Sequence, residues 1–234
     1  NTIWANSGRV NVYALSLLFV SILFFIFSKW QKMHNKKFLY WYAFIFGLSL
    51  GSHLIMIAMS LPFLFMLWRE FKLQRQISNL FKALFLAVLP VFQYLYLWFA
   101  YARHTIITRG DLSNFTGFVD YITQKDFANK ISARTVDDGI LFFKTLLHLL
   151  SAEFTIPIFI IALLGFISIK FKNKDLLILI TSLALVNILI MFFYGNSKDL
   201  VLLNRYLFLI YVVFSIGLAY FLDAVFNKPA VRNK

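Results

Sequence analysis

The stretch Phe46-Gly47-Leu48-Ser49-Leu50-Gly51-Ser52-His53-Leu54 lies inside an apolar run from about Phe38 to Trp68. Polar groups at the centre of such a run are costly in lipid unless they satisfy the backbone or face protein. The run is too long for one span of about 20 residues and too short for two with a loop between them. Charge decides how it is used. Lys29, Lys32, Lys36 and Lys37 precede it, and Arg69, Lys72, Arg75 and Lys82 follow it. Loops rich in Lys and Arg stay in the cytoplasm, so both ends are expected on one side and the run must enter the membrane and return. Two short helices then meet at or beyond the bilayer middle, with Gly51-Ser52-His53 as the turning point. Glycine lets the chain turn and lets helices approach closely. Ser49, Ser52 and His53 can bond the backbone groups a break sets free, and a break is tolerated only where protein or a water-filled cavity surrounds it. His53 is therefore expected out of contact with lipid. Pro62 falls in the returning helix.

The rest of the chain agrees with a membrane setting. It is 61% hydrophobic and only 14% charged, with mean hydropathy +0.76, whereas a soluble domain is near half apolar and about a quarter charged. Further spans are expected at about Asn11–Phe27, Ala83–Tyr101, Phe154–Ile169, Leu176–Tyr194 and Tyr206–Phe226. The fold class is thus all-α, a polytopic helical bundle of about seven membrane segments. Lys170, Lys172 and Lys174 form one further basic turn and Lys228, Arg232 and Lys234 end the chain. With every basic cluster cytoplasmic, Asp111, Asp120, Asp126, Asp137, Asp138, Glu153 and Asp199 fall outside. The N-terminus is then extracytoplasmic and the C-terminus cytoplasmic. The formal charge of +13 is absorbed by this flanking duty, so nucleic acid is not an expected partner. With no cysteine, disulfides and thiol chemistry are excluded.

Three regions follow: residues 1–101 with the broken helix pair 38–68, an extracytoplasmic loop 102–153, and C-terminal spans 154–234. Polar connections as long as Ala102–Gly139 are uncommon unless functional or disordered. Phe115, Phe118, Val119, Tyr121, Ile122 and Phe127 are interleaved with its charges, which points to an ordered cap. Ile140–Leu150 is expected as a short interfacial helix carrying Lys144 and His148. The chain opens on Asn1 rather than on methionine, and without a signal peptide, and is expected to be a piece of a longer protein. Its abundance of Lys, Phe, Ile and Asn suits an AT-rich bacterial genome and hence the bacterial inner membrane.

Trp4, then Val10–Phe19 (VNVYALSLLF), then FGLSLGSHL and Pro62 resemble the bacterial multi-pass relatives of protein O-mannosyltransferases. Arg109–Thr123 (RGDLSNFTGFVDYIT) and Asn204–Tyr211 (NRYLFLIY) are similar to two later motifs of that family. The resemblance implies a fold like that of the GT-C glycosyltransferases. These transfer a sugar from a polyprenyl-phosphate donor to an acceptor hydroxyl, on protein or glycan, at the extracytoplasmic side. It also implies two departures. Asn11 stands where the family has Glu, and an amide is neither a base nor a strong metal ligand. Ser52 stands where the family has Asn. The family's acidic first-loop motif, the implied catalytic base, would lie N-terminal to Asn1, so the catalytic residue itself is unknown from this chain.

The candidate substrate-binding residues are His53, Arg205, Arg9, Asp111, Asn11 and Tyr13. His53 is an ionisable group at membrane depth, and its bland alternative is a histidine that only bonds the broken backbone. Arg205 and Arg9 suit a clamp on the donor phosphate, against ordinary snorkelling at a span end. Asp111 follows Gly110 and could meet a divalent cation or the acceptor hydroxyl, against a turn aspartate bonding its own backbone. Glu153 is a candidate general base or an interfacial carboxylate. Tyr13 and Tyr211 line a cavity or sit in an aromatic belt, and Asn187 is expected to bond between helices. No metal-ligand cluster is expected. A secondary transporter, in which broken helices meet at the midplane, and a non-catalytic subunit that binds a lipid-linked sugar remain open alternatives.

Overall fold

The computed structural model describes residues 12–74, 76–103, 111–123, 125, 135–194 and 206–227. Those residues are helical almost throughout, and no strand occurs among them. The α-helices are α1 (Val12–Met33), α2 (Lys36–Ser49), α3 (Ser60–Gln74), α4 (Ile77–Val88), α5 (Leu95–Ala102), α6 (Phe115–Ile122), α7 (Val136–Phe154), α8 (Ile156–Lys172), α9 (Lys174–Tyr194) and α10 (Phe208–Phe226). Stretches of 3-10 helix cover Leu54–Met59 and Leu89–Tyr94. Among the described residues, four segments are long and apolar enough to cross a membrane: Tyr13–Met33, Ile77–Ala102, Lys174–Phe193 and Phe208–Phe226. Counting the bent pair α7–α8 as one span makes five. The described residues up to 125 form one compact unit and those from 135 onward another.

In the first unit, α2 and α3 are too short to span. At 14 and 15 residues they measure about 21 and 22 Å, against a hydrocarbon core of about 30 Å. They are separated by an unwound turn at residues 50–53 and the 3-10 stretch after it. Tyr42 Oη donates to the Met59 carbonyl at 3.0 Å and its ring stacks on Phe63, so the second helix folds back along the first. Polar contacts mark both ends of this pair. Trp30 Nε1 near the end of α1 donates to Glu70 Oε1 near the end of α3 at 3.0 Å. Tyr40 near the start of α2 donates to Asn79 near the start of α4 at 3.0 Å. The ends of α1 and α3 and the starts of α2 and α4 therefore lie together, at the end that carries the lysines. At the other end, Ser16 and Ser52 hydroxyls meet at 3.0 Å, both buried. From Trp30 to Ser16 is about 21 Å along α1, which measures how deep the turn lies from the lysine-bearing end.

Lipid chains are as apolar as leucine, so burial alone contributes little to helix association, and close packing and hydrogen bonds decide it. Gly47 serves the packing: a Cβ there would fall on the carbonyl of Ala87 in α4. Val20, Leu23, Phe27 and Trp30 on α1, with Leu39, Tyr42 and Ala43 on α2, fill the interior of the unit.

In the second unit, a capping box starts α7. Thr135 Oγ1 accepts from the Asp138 amide, and the Asp138 carboxylate accepts from the Thr135 amide. The helix runs 19 residues to Phe154, longer at both ends than the short interfacial helix expected at Ile140–Leu150. It stops at Thr155, which has φ 58°, a left-handed conformation a β-branched residue rarely adopts. The chain then turns by 99° into α8, where Pro157 is tolerated in the first turn. Asn187 is buried and donates to the Tyr206 carbonyl at 3.1 Å, joining α9 to the chain two residues before α10. Lys172 and Asp223 pair at the ends of α8 and α10. Between those two helices Gly165 and Gly217 face one another with no room for a Cβ at either. Gly165→Ala should therefore force the helices apart and lower stability by about 1–3 kcal/mol. Gly139→Ala, whose added methyl would only touch Phe192 at 3.9 Å, should leave the thermal unfolding midpoint close to that of the parent protein.

Candidate functional site

The turn between α2 and the 3-10 stretch gathers buried polar groups of the first unit, Ser49 and Ser52 with Ser16 of α1. Breaking a helix leaves carbonyls without partners, and here each finds one. Ser49 Oγ bonds to the Phe46 carbonyl at 2.7 Å and Ser52 Oγ to the Ser49 carbonyl at 2.7 Å. Two further groups come from the 3-10 stretch that follows α4. Gln93 Nε2 donates to the carbonyls of Gly47 and Leu48 at 3.4 and 3.2 Å. Tyr94 Oη donates to the Leu50 carbonyl at 2.7 Å. Gly51 lies against the Gln93 amide, which would have to move to admit a Cβ there.

His53 ends this turn in an extended conformation and caps the 3-10 stretch, its Nδ1 accepting from the Ile55 amide at 3.1 Å. An accepting Nδ1 places the proton of neutral imidazole on Nε2. The ring is half-buried and stands 5.4 Å from the ring of Tyr13, tilted by 36°. Tyr13, Ser16, Ser52 and His53 thus gather where α1 begins. His53 and Tyr13 bring an imidazole and a phenol together there, group types suited to hydrogen-bonding a polyhydroxyl ligand or an anionic oxygen, while the Ser16 and Ser52 hydroxyls are buried and bonded to each other.

Asp111 stands elsewhere, beyond the far end of α5. Its Oδ1 accepts from the Ser113 amide at 2.8 Å and from Tyr101 Oη at 3.2 Å. Bonds from Ser113 above all, and then from Tyr101, hold its carboxyl below the ordinary aspartate range. This is the geometry of a turn aspartate; it closes the loop that leads into α6, where Asn114 caps by accepting from Gly117 at 2.8 Å. Glu153 lies in the last turn of α7, and Tyr211 is fully buried against Phe154. Arg9, Asn11 and Arg205 lie outside the described residues. No group of three or more His, Asp or Glu side chains placed to hold a metal occurs among the described residues, and Asp111 is engaged by Ser113 and Tyr101. They give a divalent cation no evident donor set.

Gln93 and Tyr94 were not candidates from sequence. Their signal is a glutamine and a proline, Pro90, inside an apolar run, which shows that something needs a donor without showing what.

The fold and this turn define an all-helical membrane protein with a helix pair broken beside a polar cluster. Residues 1–77 match the family model described as "Protein O-mannosyl-transferase TMEM260 N-terminal domain". That segment takes in α1, the broken pair and the turn, and covers about a third of the chain. No curated protein matches the chain, and no solved structure does.

Proposed function

We propose that this chain is part of an integral-membrane glycosyltransferase of GT-C type. It moves a sugar from a polyprenyl phosphate to an acceptor hydroxyl on the extracytoplasmic side, mannose being the sugar that the matched family's description names. The observation that carries the reading is that the family match covers the helices that build the His53 turn. Membrane setting and helical architecture support it. In this reading α2 and α3 are a re-entrant pair, about seven segments enter the bilayer, the lysine-bearing end is cytoplasmic, and the turn opens toward the outside. The acceptor oxygen attacks the anomeric carbon, the bond from that carbon to the phosphate oxygen breaks, and polyprenyl phosphate leaves. A carboxylate takes the acceptor's proton; none of the described residues is assigned that role. Arg205 and Arg9 meet the phosphate, and His53 and Tyr13 bond the sugar or the phosphate oxygens.

A transporter is the second reading, favoured by the 99° bend at Thr155, which gives the second unit a broken pair of its own. One assay separates the two. The complete gene product, purified in lipid, is incubated with polyprenyl-phosphate sugars and acceptor. We expect sugar transfer, reduced about 100-fold or more in Arg205→Ala with the protein still folded. Absence of both donor turnover and donor binding would refute the transferase reading. Binding that depends on Arg205 without turnover would instead mark a sugar-lipid-binding subunit.

A further inference from the structure

The span formed by α4, the Leu89–Tyr94 stretch and α5 presents Phe81, Phe85, Val88, Phe92, Tyr96 and Phe99 outward, all well exposed. In a membrane-crossing helix such a stripe lies against hydrocarbon. It is interrupted where α6 approaches. There a slot of about 170 Å³ opens between Val88, Val91, Phe92 and Leu95 on one side and Phe118 and Ile122 on the other. Tyr94 also lines it. Tyr94 thus borders the slot and also donates its hydroxyl to the Leu50 carbonyl. Trp98 stacks on Phe118 at 5.4 Å and so stands beside the same opening.

We propose that this slot takes the end of an acyl chain from a surrounding phospholipid, and that Tyr94 relays its occupancy to the turn bearing His53. The walls are apolar and the volume excludes a headgroup. An apolar cavity is a poor place for water, and an empty one forfeits the dispersion contacts of its lining. The medium at its mouth is hydrocarbon, because the slot is continuous with the lipid-facing stripe. Filling it presses on the Tyr94 ring, and that ring's hydroxyl is the donor that holds Leu50 at the start of the turn. The inference does not depend on the sugar-transfer reading.

Bilayers of phosphatidylcholine brominated on its acyl chains test it, since bromine quenches a tryptophan it touches. The Trp98 contribution is the difference between the protein and its Trp98→Phe variant, and circular dichroism confirms that each variant is folded. We expect that contribution to be quenched, to lose most of its quenching in Val91→Phe, which fills the slot, and to gain quenching in Ile122→Ala, which widens it. Val91→Phe should also slow amide exchange at residues 51–55, and should not do so when combined with Tyr94→Phe. Quenching that is absent, or equal in all three proteins, would overturn the site. Relief of quenching by added polyprenyl phosphate would overturn the phospholipid assignment in favour of that lipid's own tail. Exchange that ignores Val91→Phe would overturn the relay.

Discussion

Trp30→Phe is expected to cost about 3 kcal/mol or more of stability. The Glu70 carboxylate is 2% exposed, and the Trp30 indole is the donor its Oε1 receives. Its Oε2 makes no hydrogen bond among the described residues. Losing the hydrogen bond costs roughly 0.5–1.5 kcal/mol, and leaving its acceptor buried and unsatisfied adds roughly 1–3. The smaller ring also opens a cavity among Phe27 and Phe65, which flank Trp30 at 5.8 and 6.2 Å. Removing both partners should be milder, because no acceptor is then stranded. Trp30→Phe combined with Glu70→Leu is therefore expected to recover much of the loss, as a positive coupling in a double-mutant cycle. Denaturant unfolding in detergent micelles measures all four proteins. Strict additivity would mean that the contact contributes nothing. The contact matters to the site because it ties the end of α3 to α1, and so sets how far the turn reaches along the bundle.

The break in the Phe38–Trp68 run is visible in sequence because it is built from local chemistry. Gly47, Gly51 and Ser52 favour close approach and turning, and basic clusters at both ends are read as a return. The boundaries between the first two helices were less legible: the first span was expected to end at Phe27 and the next run to begin at Phe38, whereas α1 runs on to Met33 and α2 starts at Lys36, where the Asn35 side chain caps it. What completes the turn could not be read in the same way. Gln93 and Tyr94 lie more than 40 residues from the carbonyls they satisfy, and no local pattern names a partner at that distance. Glu70 was an acid in a run of Lys and Arg, a signal masked because charges at a helix end are read as sidedness rather than as contacts. The early start of α7 went unread for a smaller reason. Its capping box ends in aspartate where the usual signature has Glu or Gln. Thr155 carries no sequence sign of a positive φ, so the bend before α8 was out of reach.

His53 can be a cap, a substrate ligand or both, and one pair of substitutions separates these roles. Its Nδ1 accepts from the Ile55 amide, which is what an N-cap side chain does. Asparagine offers an oxygen at nearly the same place and is among the best caps, whereas alanine offers none. His53→Ala should therefore lose about 1 kcal/mol of stability together with activity, and alone would not tell the roles apart. His53→Asn should unfold close to the parent protein, with amide exchange at Ile55 still protected. It lacks the ring's Nε2–H, however, a donor that the backbone cap does not use. If His53 bonds the sugar or the phosphate of the donor, His53→Asn stays folded yet loses about 100-fold or more in turnover. Full activity in His53→Asn, with loss only in His53→Ala, would make the histidine a cap and nothing more. A donor sugar would then have to be held by Tyr13 or by residues outside this cluster, since the Ser16 and Ser52 hydroxyls are buried and bonded to each other.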